Sequence, residues 1–331
     1  MKNEILRELS IFIPTFNRNK KLVQTVKDIL EIEGNEQISI VVIDNASDKP
    51  VQTSLNEENI YSENLKVIEN SINIGICGNI IECFRQCNTQ WLWVLGDDDK
   101  VSANALDNII NQLEHLNETE TLCVNFKTEM ADKRTLFSVV SEVSELNNIE
   151  TPYSNLLFIS TNIYNARILK AYMAEGIMFS YPLQPHTAML FQALLKKEGK
   201  IAFSADSIVN WHNDLGSISW SIIHMTVSRD LILNLPAISN NRDYLYLKKY
   251  VMLGYDNYNI YLNLIRSFLE GKIFYERTLY YLKAVRGNGS NAVISTCLYF
   301  IIRFAMYSKS LLRIMDTVLS YSKIAIENFR K

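Results

Sequence analysis

The fold of this chain is decided at Trp91-Leu92-Trp93-Val94-Leu95-Gly96-Asp97-Asp98-Asp99, where an apolar run ends in three consecutive carboxylates. Such a run is typical of a strand buried on both faces, and ligands of open α/β sheets bind outside the carboxyl ends of strands. Repulsion within the acidic triplet Asp97–Asp99 is relieved by solvent or by a cation that prefers hard oxygen ligands, such as Mg²⁺ or Mn²⁺. The segment therefore predicts a buried strand that ends either at a metal site or in a solvated turn capping a helix near Ser102.

Three further apolar strands precede this one, and helical patterns separate them. We predict the strands at 9–14, 38–43 and 65–69 and the helices at 19–31 and 79–87. Strands that alternate with helices predict a largely parallel sheet with right-handed crossovers. The fold class is therefore α/β.

Length and composition favour two regions. The chain has 331 residues, of which 48% are hydrophobic and 21% charged, an ordinary composition for globular domains. We predict an α/β domain over residues 1–216 and a separate helical C-terminal region over 217–331, where long helical patterns carry Leu, Ile, Tyr and scattered cations. The later predictions within the first region are a β-rich segment at 122–140, a mobile loop at 141–150, strands at 159–164 and 201–209, and a helix at 187–197.

Charge, cysteine usage and the N-terminus exclude several classes of protein. The net charge is −3 and the pI about 5.9, so no basic field exists to hold nucleic acid, and we exclude nucleic acid as a partner. The 5 cysteines form no CxxC pair and no zinc-spaced cluster, which predicts reduced, mostly buried thiols. Residues 1–10 contain no apolar stretch of signal-peptide length, so we expect a cytoplasmic protein.

One segment near the end of the chain bears on membrane association. The apolar run Ala292–Ile302 is too short to span a bilayer, and Arg303 follows it directly. With Lys309 and Arg313 beyond it, this tail suits an interfacial helix whose cations meet anionic lipid head groups at the inner face of the cytoplasmic membrane. A helix that packs in a core is the alternative.

Parallel topology brings the loops after the four strands to one edge of the sheet, where they describe a nucleotide site. Asp44 offers acceptors to a base or a ribose, Asn73 and Asn79 offer paired donors and acceptors, Gly75 allows close backbone approach, and Arg18 can reach a diphosphate. Each of these residues also has a structural interpretation, as a loop cap, a turn residue, a helix cap or a surface cation. The ordered set favours the nucleotide site.

The sequences LSIFIPTFNR, VVIDNAS, NSINIGICGN and WLWVLGDDD resemble, in order and spacing, the successive motifs of family 2 of the inverting glycosyltransferases, which have the GT-A fold. The resemblance covers residues 8–110 and, more loosely, 155–215. It is strongest to the bacterial O-antigen and capsule branch that includes abequosyltransferase-like enzymes.

This resemblance implies a Rossmann-like, mostly parallel sheet flanked by helices and a metal-dependent inverting reaction. A sugar would move from a nucleotide-sugar donor to a hydroxyl of a surface polysaccharide or a lipid-linked oligosaccharide, with Mn²⁺ or Mg²⁺ as the cofactor.

The resemblance also assigns roles to particular residues. It places Thr15, Asn17, Asp44 and Asn73 against the nucleoside and matches the acidic triplet to the family's DxD motif. Asp98 is the first choice as metal ligand, and Gly96 is a departure, since many relatives carry an aspartate there. The predicted metal ligands are Asp98, Asp99 and His212, and the predicted donor-binding residues are Pro14, Thr15, Asn17, Arg18, Asp44, Asn45, Asn73, Gly75, Asn79 and Asp97.

A general base must deprotonate the acceptor, and relatives supply an acid at a helix start in the second half of the domain. This chain has His186 there, which we predict as the catalytic base because an unperturbed imidazole titrates near neutrality. A capping or acceptor-binding role is the alternative for this histidine. Asp206 and Asp214 are alternative bases.

Two other functions stay open. A non-catalytic nucleotide-sugar-binding protein would explain the missing acidic base. A sugar nucleotidyltransferase shares the layout but would require a glycine-rich phosphate loop after the first strand, and PTFNRNKK contains no glycine.

Overall fold

The computed structural model describes residues 2–128, 132, 134–149, 151–180, 184–210, 229 and 231–251, and the single positions 297, 300, 303 and 317. The chain divides into two compact units, one of residues 1–215 with 232–250 and the other of residues 216–231 with 251–331. The sequence placed the boundary at 216/217, so the structure differs in grouping 232–250 with the first unit.

The described α-helices and strands alternate through most of the first unit, and five short 3₁₀ helices connect some of them. The helices are α1 (Lys2–Arg7), α2 (Asn19–Leu30), α3 (Val51–Glu57), α4 (Gly75–Gln86), α5 (Ala105–Leu113), α6 (Tyr153–Leu157), α7 (Ala166–Leu169), α8 (Met173–Met178), α9 (Pro185–Leu195) and α10 (Asn241–Val251). The strands are β1 (Leu9–Thr15), β2 (Ser39–Asp44), β3 (Leu65–Glu69), β4 (Trp91–Val94), β5 (Lys100–Val101), β6 (Thr121–Phe126), β7 (Ser138–Val140), β8 (Asn162–Asn165), β9 (Lys200–Ser204) and β10 (Val209–Asn210).

The main sheet has 8 strands in the order β3-β2-β1-β4-β8-β6-β9-β7. The first four are mutually parallel, β8 is antiparallel to both β4 and β6, and β9 is parallel to β6. Strands β1 to β4, β6 and β9 therefore point the same way, and their carboxyl ends share one edge of the sheet. The predicted mostly parallel α/β sheet is confirmed.

Helix α2 is held at this edge of the sheet by its apolar face and by one hydrogen bond. Leu22, Val26 and Ile29 lie on one face of α2 and are fully buried, and burial of each such side chain contributes about 1.5–3 kcal/mol. On the same helix, the Thr25 hydroxyl donates a hydrogen bond to the backbone carbonyl of Asp97 at 3.0 Å. Helix α2 is thus fixed beside the end of β4.

The structure differs from the sequence predictions in three later segments. The strand predicted at 201–209 is two pieces, β9 and β10, because Ser204 and Asp206 form a hydrogen-bonded turn between them. The strand predicted at 159–164 starts as the 3₁₀ helix Ile159–Thr161, and β8 follows it. The stretch predicted as a mobile loop holds a 3₁₀ helix in which the Glu145 carboxylate accepts bonds from the chain at 141 and 142.

Residues 232–250 contact α6, α9 and the segment before α6. The backbone N–H of Ala237 donates to Gln192 Oε1 at 3.1 Å, and Tyr250 packs edge to face against Tyr153 with ring centroids 5.9 Å apart. Most of the predicted helical region, including the proposed interfacial tail 292–302 except for positions 297 and 300, lies outside the described residues. In the part of the chain that is described, no helix has the length and apolar character needed to cross a bilayer.

Candidate functional site

Asp97 is the buried member of the acidic triplet, and it joins the end of β4 to the end of β1. Its Oδ2 accepts a hydrogen bond from Thr15 Oγ1 at 2.7 Å, and its Oδ1 lies 2.9 Å from Arg18 Nη1. Burial raises the pKa of the Asp97 carboxyl, while the Thr15 hydrogen bond and the Arg18 charge act in the opposite direction. Three residues that the sequence predicted to converge are therefore in contact.

Asp98 is the member of the triplet that faces solvent, with 34% of its side chain exposed. Its Oδ2 accepts from both Arg18 Nη2 and Lys21 Nζ, the latter at 3.1 Å. The carboxylate predicted as the first metal ligand thus forms ion pairs with two basic side chains from the start of α2.

The Asp99 carboxylate lies close to Gly96 and Ser160. Ser160 Oγ donates to Asp99 Oδ2 and accepts from the Gly96 backbone N–H at 2.9 Å. A Cβ atom at Gly96 would lie 2.4 Å from Asp99 Oδ2, so the glycine makes room for this carboxylate. Burial raises the pKa of Asp99 to about 6 against the Ser160 hydrogen bond. A glycine is therefore required at position 96, because the Asp99 carboxylate occupies the space that a side chain there would need.

Asp44, predicted to contact a nucleoside, caps its own loop instead. Its Oδ1 accepts from the backbone N–H of Ser47 at 3.0 Å, its Oδ2 accepts from that of Val51 at 2.9 Å, and the side chain is fully buried. This arrangement favours the loop-cap interpretation over a direct donor contact.

The loops after β1 and β2 are clamped together. Asn17 Nδ2 donates to Asp48 Oδ2 at 3.0 Å, and the Asp48 backbone N–H donates to Asn17 Oδ1 at 2.8 Å. Asn17 and Ala46 have positive φ values of 54° and 61°, a region that costs free energy for residues other than glycine. Pro14 lies in β1, in register with Ile43 of β2, directly before this clamp.

An amide network ties the ends of β2 and β3 to the start of α4. Asn45 Oδ1 accepts from Asn70 Nδ2 at 3.1 Å, and Asn45 Nδ2 donates to Asn73 Oδ1 at 2.8 Å. Asn79 accepts from Asn70 and donates to the Ile43 carbonyl at 3.0 Å. The predicted residues Asn45, Asn73 and Asn79 thus meet, and the contacts seen here are with one another and with the backbone.

Gly75 begins α4 next to this network. Its φ of 75° is the left-handed conformation, and a Cβ atom built on it would have no neighbour within 4 Å. The residue therefore leaves open space at the helix start.

His186 does not fit the predicted base. The side chain is buried in α9, its Nε2–H donates to the Leu157 carbonyl at 3.0 Å, and its ring packs edge to face on Tyr164. Burial lowers the pKa of His186 to about 4, far from the near-neutral value that we expected. The physical reason is α9 itself, whose residues are buried on all sides from Pro185 to Leu194.

The segment after β9 lies next to the acidic triplet. Strand β10 pairs with β5, which directly follows Asp99, with Asn210 opposite Lys100. Asp206, an alternative base, is half-buried and accepts at Oδ2 from Ser204 and Gln112. His212, the third predicted metal ligand, and Asp214, the other alternative base, lie outside the described residues.

The acidic triplet fits a hard cation by donor type, since carboxylate oxygens are what Mg²⁺ and Mn²⁺ prefer. Among the residues that the structure describes, no three Cys, His, Asp or Glu side chains are grouped to hold a metal ion. Arg18 and Lys21 engage Asp98, and Ser160 engages Asp99, which explains why the carboxylates do not converge.

The mixed α/β sheet, with polar loops and an acidic turn at one edge, has the GT-A-like architecture of glycosyltransferases. Residues 10–163 match the family model for glycosyl transferase family 2. A comparison with curated proteins finds no match.

Solved structures of the same fold are remote in sequence. S. aureus TarS 1-349 in complex with UDP-GlcNAc is 14% identical with a TM-score of 0.56, over 84% of this chain and 79% of that one. Mannosyltransferase PcManGT from Pyrobaculum calidifontis in complex with GDP-Man and Mn²⁺ is 13% identical with a TM-score of 0.51, over 97% of this chain and 87% of that one. At these identities, both likenesses establish the fold.

Sequence reasoning missed three residues of the site. Ser160 is 64 positions from Gly96, and a lone serine carries no local signal. Thr25 lies within a helical pattern, where a hydroxyl has no distinctive spacing. Lys21 had a usable signal, because a basic residue in the first turn of a helix opposes the helix dipole.

Proposed function

We propose that this glycosyltransferase is metal-dependent and inverting, and that it moves a sugar from a nucleotide-sugar donor to a hydroxyl of a surface polysaccharide or lipid-linked oligosaccharide. The observation that carries the proposal is the contact of Thr15 and Arg18 with Asp97, which brings the loop after β1 and the acidic triplet to one edge of the sheet. The bacterial surface-polysaccharide branch of the resemblance supports the acceptor class.

Donor binding is assigned to the side chains and open space at this edge. Arg18 and Lys21 supply positive charge for the diphosphate, since both are half-exposed at the start of α2. Gly75 leaves space for close approach of the donor. Asn73 accepts from the Gly75 backbone N–H and flanks that space, and Asn17 in the loop after β1 is the other candidate for nucleoside contact. Asp44 and Asn45 hold their loops in shape.

Asp98 and Asp99 are the proposed metal ligands, with His212 as a third. A bound Mn²⁺ or Mg²⁺ supplies Lewis-acid neutralisation of the diphosphate as it leaves the sugar. Asp97 remains a positioning residue, because both of its oxygens are engaged by Thr15 and Arg18.

Deprotonation of the acceptor is the remaining task. The burial and low pKa of His186 move our proposal for the base to Asp206 or Asp214. Asp206 follows β9, whose carboxyl end shares the edge of the triplet. Its Oδ2 accepts hydrogen bonds from Ser204 and Gln112, which fix the orientation of the carboxylate.

Thermal unfolding with a panel of UDP-, GDP-, CDP- and dTDP-sugars, each with and without Mn²⁺, tests donor and metal together. We expect one donor class to raise the melting temperature in a Mn²⁺-dependent way, because a ligand that binds only the folded state stabilises it. Asp98→Asn should abolish the metal dependence, whereas the matched control Asp107→Asn, at an exposed position of α5, should retain it. No stabilisation by any donor of the panel would contradict the proposal.

The stereochemistry and the acceptor surface need separate measurements. The product formed with the matched donor should have the inverted anomeric configuration by NMR, because direct displacement requires no covalent intermediate. Binding to anionic liposomes at low salt tests our proposal that the protein acts at the inner face of the cytoplasmic membrane. A retained anomeric configuration would refute inversion, and equal recovery with and without liposomes would refute membrane association.

A further inference from the structure

Two cations from the start of α2 hold the carboxylates at the end of β4. Arg18 bridges Asp97 and Asp98, with Nη1 2.9 Å from Asp97 Oδ1 and Nη2 on Asp98 Oδ2. Lys21 Nζ lies 3.1 Å from the same Asp98 Oδ2. The most exposed carboxylate of the triplet therefore has one oxygen shared by two cations.

These cations are fixed by the fold rather than by the reach of flexible side chains alone. Arg18 is the residue at the N-terminal cap of α2, and Lys21 is in the first turn, which contains no acidic residue. The Thr25 hydroxyl fastens the second turn to the Asp97 carbonyl at 3.0 Å. Positive side chains at a helix N-terminus oppose the helix dipole, and an anion opposite them offsets this cost. The acidic triplet is that anion in the protein without ligand.

We infer, on the basis of the proposed function, that Arg18 and Lys21 keep Asp98 closed to cations until the diphosphate of a donor takes over these two side chains. Cation binding and diphosphate binding are then positively coupled. By thermodynamic linkage, each ligand raises the affinity for the other by the same factor.

The chemistry favours this exchange of partners. A diphosphate offers several anionic oxygens, and a guanidinium binds such oxygens in a bidentate way. The Asp98 carboxylate loses its two cationic partners in the same step and presents free lone pairs to a hard cation. Without the diphosphate, an incoming Mn²⁺ must displace Lys21 and approach two positive charges.

Electron paramagnetic resonance of free Mn²⁺ measures the coupling without any turnover, after correction for the Mn²⁺ that each nucleoside diphosphate binds in the absence of protein. The full chain is titrated with Mn²⁺ alone and in the presence of saturating UDP, GDP, CDP or dTDP. For the wild type we expect at least one nucleoside diphosphate to tighten Mn²⁺ binding by a factor of about 10 or more, an ordinary size for coupling between sites.

Lys21→Gln removes one of the two cations and keeps a polar chain of similar length. We expect this variant to bind Mn²⁺ alone about 1.5- to 5-fold more tightly than the wild type, the range that a half-exposed ion pair supports. Its nucleotide-dependent gain should shrink accordingly. Lys20→Gln is the matched control, because in the described residues Lys20 makes no ion pair with the triplet, and it should behave as the wild type.

Equal Mn²⁺ affinities of Lys21→Gln and the wild type without nucleotide would overturn the inference. It would also be overturned if Lys20→Gln bound Mn²⁺ alone as tightly as Lys21→Gln does. Failure of the proposed function has a different signature, in which no nucleoside diphosphate of the panel binds the wild type at all. The comparison of the variants in Mn²⁺ alone is unaffected by that outcome.

Discussion

Replacing His186 by glutamine would remove a buried group whose titration makes the stability of the fold depend on pH. Burial lowers the pKa of this histidine from 6.5 to about 4, because a charged imidazole in α9 would lose its hydration. Glutamine can place an N–H where His186 Nε2 now donates to the Leu157 carbonyl, so the hydrogen bond has a substitute.

The size and the sign of the effect follow from the two pKa values. Below pH 6.5 the unfolded chain takes up a proton that the folded protein refuses, so stability is present above that pH and is lost as the pH falls toward 4. Each pH unit between the two values corresponds to about 1.4 kcal/mol, so the wild type loses roughly 3 kcal/mol over this range through His186. The variant lacks this loss.

Urea unfolding followed by circular dichroism at pH 7.5 and pH 4.5 measures the difference. Asp99 titrates with the opposite sign, because its pKa is raised to about 6 and it adds stability as the pH falls. Its contribution is common to both proteins and cancels in the comparison. Parallel loss of stability in the wild type and His186→Gln would refute the assigned burial, and an active variant would argue against His186 as the base.

Three further substitutions test the geometry of the site. Thr15→Val should lower the free energy of unfolding by about 1.5–3 kcal/mol, because the buried Asp97 loses a charged hydrogen bond. Thr15→Ser keeps the hydroxyl and should retain most of the wild-type stability. Chemical denaturation measures both variants. Ala46→Gly should stabilise the protein by up to about 1 kcal/mol in the same assay, since φ is 61° there, and a loss would contradict the strain. Gly96→Ala should cost about 1–2 kcal/mol, because the new methyl group displaces Asp99 from its hydrogen bond, and unchanged stability would show that the two do not share this space.

The first half of the sheet could be predicted because its strands are uninterrupted apolar runs with polar ends. Strand β3 has the predicted bounds, Leu65–Glu69, β1 ends one residue later than predicted, and β2 is shifted by one residue along the chain. Strand β8 was only partly predicted, because the first half of the strand expected at 159–164 is the 3₁₀ helix Ile159–Thr161. In the structure Asn162 and Asn165 are buried, and both make hydrogen bonds to backbone carbonyls of neighbouring segments.

The candidate site was likewise predicted only in part. The contact of Thr15 and Arg18 with Asp97 follows from parallel topology, which sequence periodicity predicts. The position of the Asp99 side chain could not be predicted from the sequence. It depends on a hydrogen bond from Ser160, which is distant in sequence, and on the space left by Gly96. His186 was assigned by its position in the family motif, although the apolar residues around α9 already indicated a buried helix.

The short ribbon of β5 and β10 has a consequence for biosynthesis. Ser102 Oγ and Asn210 Oδ1 are joined at 3.2 Å across a separation of 108 positions. At a synthesis rate of 5–20 residues per second, the ribosome takes roughly 5–20 s to deliver the second partner after the first. A nascent chain released before that moment carries every motif of the nucleotide site and still lacks the strand that borders its acidic turn.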